Sequence, residues 1–184
     1  MSSWKMAKDG GVLTDASDTP VGFKKRDGSE IMIPYSLSKS GVAVSCPADT
    51  TEDILASIPI AAGVVGPMGW FRILTMWSFT NSVNNKTLRV RLGGIGGTIH
   101  MSVIKTTTTA FRVMTDIINR GLNNSQVGSS LGVDAAAVTA VTFATGAIDL
   151  SAASSIVITG QKATAGETLT LDGYGIEVFA GDLS

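Results

Sequence analysis

Residues able to do chemistry are few in this chain, and they stand apart from one another. Its 184 residues include one histidine and one cysteine. His100 lies in "TIHMSV" between Ile99 and Met101, an alternation that reads as an outward position on a strand. A catalytic base needs a placed nucleophile and a group that orients it. No such motif accompanies His100, so its expected role is structural or at an interface. A histidine metal cluster is excluded by count, and Cys46 alone supports neither an intramolecular disulfide nor a cysteine metal site. In "GGIGG" (93–97), Gly94 and Gly96 supply G-x-G, but Ile99 stands where the third glycine belongs and no helix follows. The dinucleotide and Walker signatures both fail there, which leaves a turn between strands. Asp15 and Asp18 sit near the N-terminus, and Asp49, Glu52 and Asp53 cluster in "CPADTTED". Their spacing matches no EF-hand, so they read as solvated loop acids. No catalytic, cofactor-binding or metal-binding residue is expected, and the chain is read as a non-enzyme.

Arginine is more informative. Arg72, Arg89, Arg91, Arg112 and Arg120 all fall on the outward phase of a strand or at a strand end. Arg72 and Arg112 share that phase with Trp70, Leu74, Met76 and Met114. Planar guanidinium beside large apolar groups is the composition of a protein interface. Trp70, Arg72, Leu74, Met76, Arg89, Arg91, Arg112 and Met114 are therefore the expected oligomer interface. The stretch "WFRILTMWSFT" (70–80) is apolar on both phases, whereas a strand covered on one face only alternates with polar residues. Charged residues make up only 16% of the chain, which protects a lone monomer poorly against association. The net charge of −1 gives no electrostatic case for nucleic acid or an anionic membrane. No aromatic–basic stripe repeats from strand to strand as a single-stranded nucleic-acid platform would require. No run of ~18 apolar residues is present to span a membrane. "MSSWKMAKDGG" has no apolar core of the signal-peptide kind, so the N-x-[ST] matches at Asn85 and Asn123 read as chance.

The elements that must position these residues are strands. Residues 1–39 form an expected attachment arm with a short β-hairpin, because Asp27-Gly28 is a hairpin turn signal between "VGF" and "EIMI". Residues 40–184 form the expected main domain. Strands are read at 41–46, 53–60, 70–80, 86–92, 98–105, 110–119, 137–145, 154–161 and 167–180, separated by turn-forming runs. One long connection, 120–136, stands alone. In the last strand Leu169 and Leu171 lie on one phase and Tyr174, Ile176 and Val178 on the other, so a β-bulge is expected at Asp172–Gly175. The pattern predicts an all-β, antiparallel two-sheet sandwich of jelly-roll type with about eight strands.

Three phrases, "LTMWSFTNSVNNKTLRVRLGGIGGT", "TTTTAFRVMTDIINRG" with "NNSQVG", and "IVITGQKATAGETLTLDGYGIEV", resemble jelly-roll structural proteins of tailed bacteriophages. The resemblance covers roughly residues 50–180. It implies a virion protein on the outer surface of the phage particle, with the major capsid protein or another virion protein as partner. A homo-oligomer, a trimer in first place, is implied, with no cofactor, nucleic acid or membrane. The first role it implies is capsid decoration or cement, reinforcing the capsid exterior. The alternative is the receptor-binding head of a tail or head fibre, with contacts in loops 80–85, 93–97 and 120–136. In the first role the basic arm docks on the shell, with Trp4, Phe23, Lys24, Lys25, Arg26, Ile31, Ile33 and Tyr35 as candidate contacts.

Overall fold

The computed structural model describes residues 12–14, 20–24, 30–133 and 142–181. Alternating apolar and polar residues with β-branched enrichment give strands throughout, and no helix occurs among the described residues. In chain order they are β1 (Val12–Thr14), β2 (Pro20–Lys24), β3 (Glu30–Met32), β4 (Tyr35–Ser40), β5 (Val44–Ser45), β6 (Glu52–Ile60) and β7 (Trp70–Phe79). There follow β8 (Lys86–Leu92), β9 (Thr98–Lys105), β10 (Ala110–Asn119), β11 (Gln126–Val133), β12 (Thr142–Gly146), β13 (Ser154–Lys162) and β14 (Leu169–Phe179). β1, β2 and β3 form a small sheet that shares no strand with the others. The remaining eleven make a jelly-roll-type sandwich of two antiparallel sheets. One has seven strands in the order β12-β11-β10-β7-β14-β4, with β5 also paired to β14; the other runs β6-β13-β8-β9.

The core lies between these sheets. Phe71, Ile73, Trp77 and Phe79 of β7, with Phe111, Val113 and Ile117 of β10, face Leu88, Val90 and Leu92 of β8 and Ile156 and Ile158 of β13. Each buried large apolar side chain is worth ~1.5–3 kcal/mol. The Trp77 indole N–H donates to Thr75 Oγ1 at 2.8 Å, which satisfies a polar group inside this layer. The β14 bulge falls in the expected place: Leu171 pairs with Trp77 and Gly173 with Met76, leaving Asp172 as the extra residue.

Four expectations need correction. The connection 120–136 is not a loop throughout, because β11 occupies Gln126–Val133 and pairs along its length with β10. Its inward residues are Gly128, Ser130 and Gly132, too small to register as an apolar phase. Tyr35, assigned to the arm, belongs to β4 and packs against the sandwich core. Of the strand read at 41–46, only Val44–Ser45 is paired. The arm holds a three-stranded sheet, not a lone hairpin; its β2–β3 pairing is present, and the Asp27-Gly28 turn lies outside the described residues. Of the strand read at 137–145, residues 137–141 are likewise outside them, and β12 covers the rest.

Close approach explains the glycines of β11. A Cβ on Gly132 would stand 1.9 Å from Cζ of Phe111, and one on Gly128 would stand 2.5 Å from Nδ1 of His100. One ring from the paired strand β10 and one from β9 of the facing sheet thus fill the space the glycines leave. Gly132→Ala is expected to lower unfolding free energy by about 1–3 kcal/mol in urea titrations, through overpacking. Phe111→Leu in the same chain should recover part of that loss. An unchanged midpoint for Gly132→Ala would contradict this account of β11.

Candidate interaction surface

The outer face of the seven-stranded sheet is built by register. Leu74 lies opposite Met114 on β10, which lies opposite Leu131 on β11; Met76 lies opposite Arg112, which lies opposite Val133. At one end of the face Trp70 sits between Ile118 and Phe179. The Trp70 and Phe179 rings meet edge-on with centroids 4.7 Å apart. The Arg72 guanidinium lies over both, 5.4 Å and 5.2 Å from the ring centroids, while its Nε donates to Asp116 Oδ1 at 3.2 Å. Cation–π contact and ion pair together fix this arginine. Met76 is 45% exposed, Leu131 and Val133 47% each and Phe143 on β12 77%. A shallow apolar recess of about 410 Å³ opens beside Met76, Phe111, Arg112, Val133 and Asp172. Exposed apolar faces of this kind are where interaction sites are sought on a protein surface.

The eight residues expected at the oligomer interface do not share one surface. Trp70, Arg72, Leu74, Met76, Arg112 and Met114 lie together on this face. Arg89 and Arg91 lie on the opposite side of the sandwich, since Leu88, Val90 and Leu92 between them point inward. Both arginines are engaged there. Arg91 Nη2 reaches both Glu52 oxygens at 2.9 Å, and Arg89 Nη1 reaches Glu52 Oε2 at 3.1 Å. Thr159 Oγ1 also donates to Glu52. Burial alone would raise the Glu52 carboxyl, but the Thr159 hydrogen bond and the two arginines outweigh it and hold the group below its ordinary range. No sequence signal joins Glu52 to arginines some forty positions away; only strand order does. The sequence does not point to Leu131, Val133 and Phe143, because β11 lacks a bulky inward phase and only strand order places β12 beside it. Of the arm contacts, Ile33 is exposed and Tyr35 belongs to the sandwich. Phe23 and Lys24 lie on β2 and Ile31 on β3; Trp4, Lys25 and Arg26 lie outside the described residues.

Among the described residues the catalytic alternatives find no supporting geometry. His100 is inward, not outward, and only 2% exposed. Val90 pairs with Met101 and Arg91 with Ile99, so His100 is the extra residue of a bulge and turns into the sandwich against Gly128 and Gly146. Neither ring nitrogen has a hydrogen-bond partner among the described residues, and burial lowers its pKa to about 4. The Cys46 thiol is pushed up to about 12, by burial first and then by Asp53, so it is an inert thiol. The loop acids do not converge. Asp49 accepts from the backbone and hydroxyl of Thr51 and Glu52 belongs to the arginine network. Asp15 and Asp18 lie outside the described residues. No group of three metal-ligating side chains occurs among the described residues.

One end of the sandwich is held by two buried lysines instead. Lys86 Nζ lies 3.0 Å from Glu167 Oε2 and donates to Asn84 O at 3.0 Å. Lys162 Nζ donates to the carbonyls of Pro47 (2.7 Å), Ala165 (3.2 Å) and Glu167 (3.0 Å). Hydrogen bonds from Ser82 and Asn84, ahead of the Lys86 charge, take the Glu167 pKa down to about 2. These contacts close loops rather than open a site.

No protein-family model matches the chain, and no curated protein matches it in sequence. Among solved structures it is similar to a Lotus tetragonolobus seed lectin, at 9% identity and TM-score 0.42, over 82% of this chain and 94% of that one. It is similar to the CBM2 module of the evolved Dit of Lactobacillus casei BL23 phage J-1, at 10% identity and TM-score 0.33, over 68% and 70% of the two chains. The infectious bursal disease virus VP2 subviral particle is similar at 12% identity and TM-score 0.34, over 81% of this chain and 33% of that one. Likeness at this level assigns no function.

His100 gives the fold a defined acid response. Its folded pKa, about 4, lies below its ordinary value of 6.5, so unfolding takes up a proton between those values. Its contribution to stability is therefore complete above pH 6.5, falls as pH drops toward 4, and is level below that. Denaturant unfolding between pH 4.5 and 7.5 should show a slope that His100→Gln reduces. An identical slope in the variant would disprove the assignment.

Proposed function

We propose that the protein is a non-enzymatic structural component of a tailed-phage virion, a decoration or cement protein that joins other chains on the capsid exterior. The observation that carries this reading is the outer face of the seven-stranded sheet, apolar from β12 to β14 on a chain with few charges to keep it solvated. A few large apolar groups buried there, each worth ~1.5–3 kcal/mol, and repeated around a closed assembly, supply enough energy to hold a shell component. The separate β1–β2–β3 sheet suits a second attachment point. Its Lys24 and the neighbouring Lys25 and Arg26 match an acidic shell, and strand addition would give main-chain hydrogen bonds. The resemblance to phage jelly-roll proteins agrees with both features. A receptor-binding fibre head is the competing role, but loops 80–85 and 93–97 and the turn 120–125 carry no aromatic ring to stack on a sugar.

The arm is tested by truncation. Because β4 completes the large sheet, the cut belongs after residue 32, not after residue 39. The chain lacking residues 1–32 should keep its β-sheet circular dichroism and a cooperative melt, and should no longer co-sediment with phage capsids. Capsid binding undiminished by truncation would reject the arm's role. Copy number then separates the two virion roles: hundreds per particle for decoration, dozens or fewer for a fibre head.

A further inference from the structure

The proposed function leaves open which chain covers the apolar face, and the charges on that face answer it. Arg112 is exposed on β10 and Glu177 on β14, and neither makes an ion pair among the described residues. Arg72, the register neighbour of Glu177, is turned to Asp116 instead. Arg112 lies opposite Met76 and Glu177 opposite Arg72, so Leu74 stands midway between the two charges. With strands ~4.8 Å apart and ~3.4 Å per residue, Arg112 and Glu177 are about 17 Å apart in one chain and cannot meet within it.

Resting on the reading that this face is buried in an assembly, we propose that a second copy of the chain covers it. The two copies are related by a two-fold axis that runs parallel to the sheet, just above Leu74 and perpendicular to the line joining Arg112 and Glu177. Arg112 of each copy then meets the partner's Glu177, twice per pair. The same rotation makes two further matches. Lys39 lies on the outer face opposite Gly175, exposed and without an ion pair among the described residues. It arrives over the partner's Asp172, the bulge residue that accepts from Ser78. The Trp70–Phe179 ring pair arrives over the partner's Leu131 and Val133. Strands of the two faces cross steeply, in the manner of orthogonal sheet packing. Such a contact is isologous and closes at two copies, so it yields a dimer in place of the trimer that the resemblance implies.

The test is charge exchange in the full chain, read by sedimentation equilibrium. Arg112 and Glu177 are both exposed, so folding is not at stake, and circular dichroism checks it. The wild-type chain should dimerise. Arg112→Glu and Glu177→Arg, each placing like charges together twice per dimer, should weaken the dimer by at least about tenfold. The double variant R112E/E177R should recover most of that loss, which no contact within one chain could produce at their separation. A wild-type chain that stays monomeric at high concentration, single variants that dimerise as tightly as wild type, or a double variant without recovery would each overturn the proposal. Capsid binding is scored in parallel. A monomer that binds capsids refutes the dimer and leaves the virion role standing, whereas a charge-dependent dimer that ignores capsids does the reverse.

Discussion

The structure depends on one central strand that carries large apolar side chains on both sides. β7 sits in the middle of the seven-stranded sheet, between β10 and β14. Its inner residues, Phe71, Ile73, Thr75, Trp77 and Phe79, are buried by the four-stranded sheet. Its outer residues, Trp70, Leu74 and Met76, have no second layer over them among the described residues. The inner face explains the fold: strands are recruited around β7 until its rings are dry, and small residues on β11 let β9 and β10 close over them. The outer face is the same chemical problem without an internal solution. Arg72 covers part of it by lying across Trp70 and Phe179, as long basic side chains do over apolar surface.

Charge is scarce in this chain, and much of it is used internally. Glu52 alone engages Arg89 and Arg91, tying β6 to β8 across β13. Lys86, Lys162 and Glu167 close the loops at one end by hydrogen bonds that leave no ammonium proton idle in a buried place, where a lone charge is costly. Besides the Arg72–Asp116 pair, what remains on the outer face is a small set of charges without an ion pair among the described residues, set among apolar side chains. A solvated surface would mix many charges of both signs. This face instead combines an apolar centre with a few charges, a composition that interfaces share.

How much of this was legible in the sequence depended on side-chain size. β7, β8 and β10 were readable because bulky inward residues recur at every second position, and the β14 bulge because Leu171 and Tyr174 fall out of phase. β11 was not readable, because its inward positions are Gly128, Ser130 and Gly132, and a phase made of small residues leaves no apolar signal. His100 was misplaced for a different reason. A single extra residue on β9 puts His100 on the same inward side as Met101, and nothing local to "TIHMSV" announces it. The outward phase of the arginines was correct at each position, yet strand order alone decides that Arg89 and Arg91 face away from Arg72 and Arg112. Periodicity gives the face of a sheet, not which sheet.

Why association should use a face rather than an edge follows from the strands at the rims. The seven-stranded sheet ends in β4 and β12, the four-stranded sheet in β6 and β9. Three of these carry an unpaired extra residue: Leu37 in β4, Leu55 in β6 and His100 in β9. β6 also holds Pro59, which has no N–H to give. The fourth, β12, spans five of the described residues. Bulges, proline and short length are the devices by which sheet proteins prevent a further strand from adding at an edge. Edge addition is open-ended and leads to fibres, whereas a face that meets its own copy closes on itself. The rims thus oppose unlimited growth while the apolar face stays open, a combination that suits the small closed assembly proposed above.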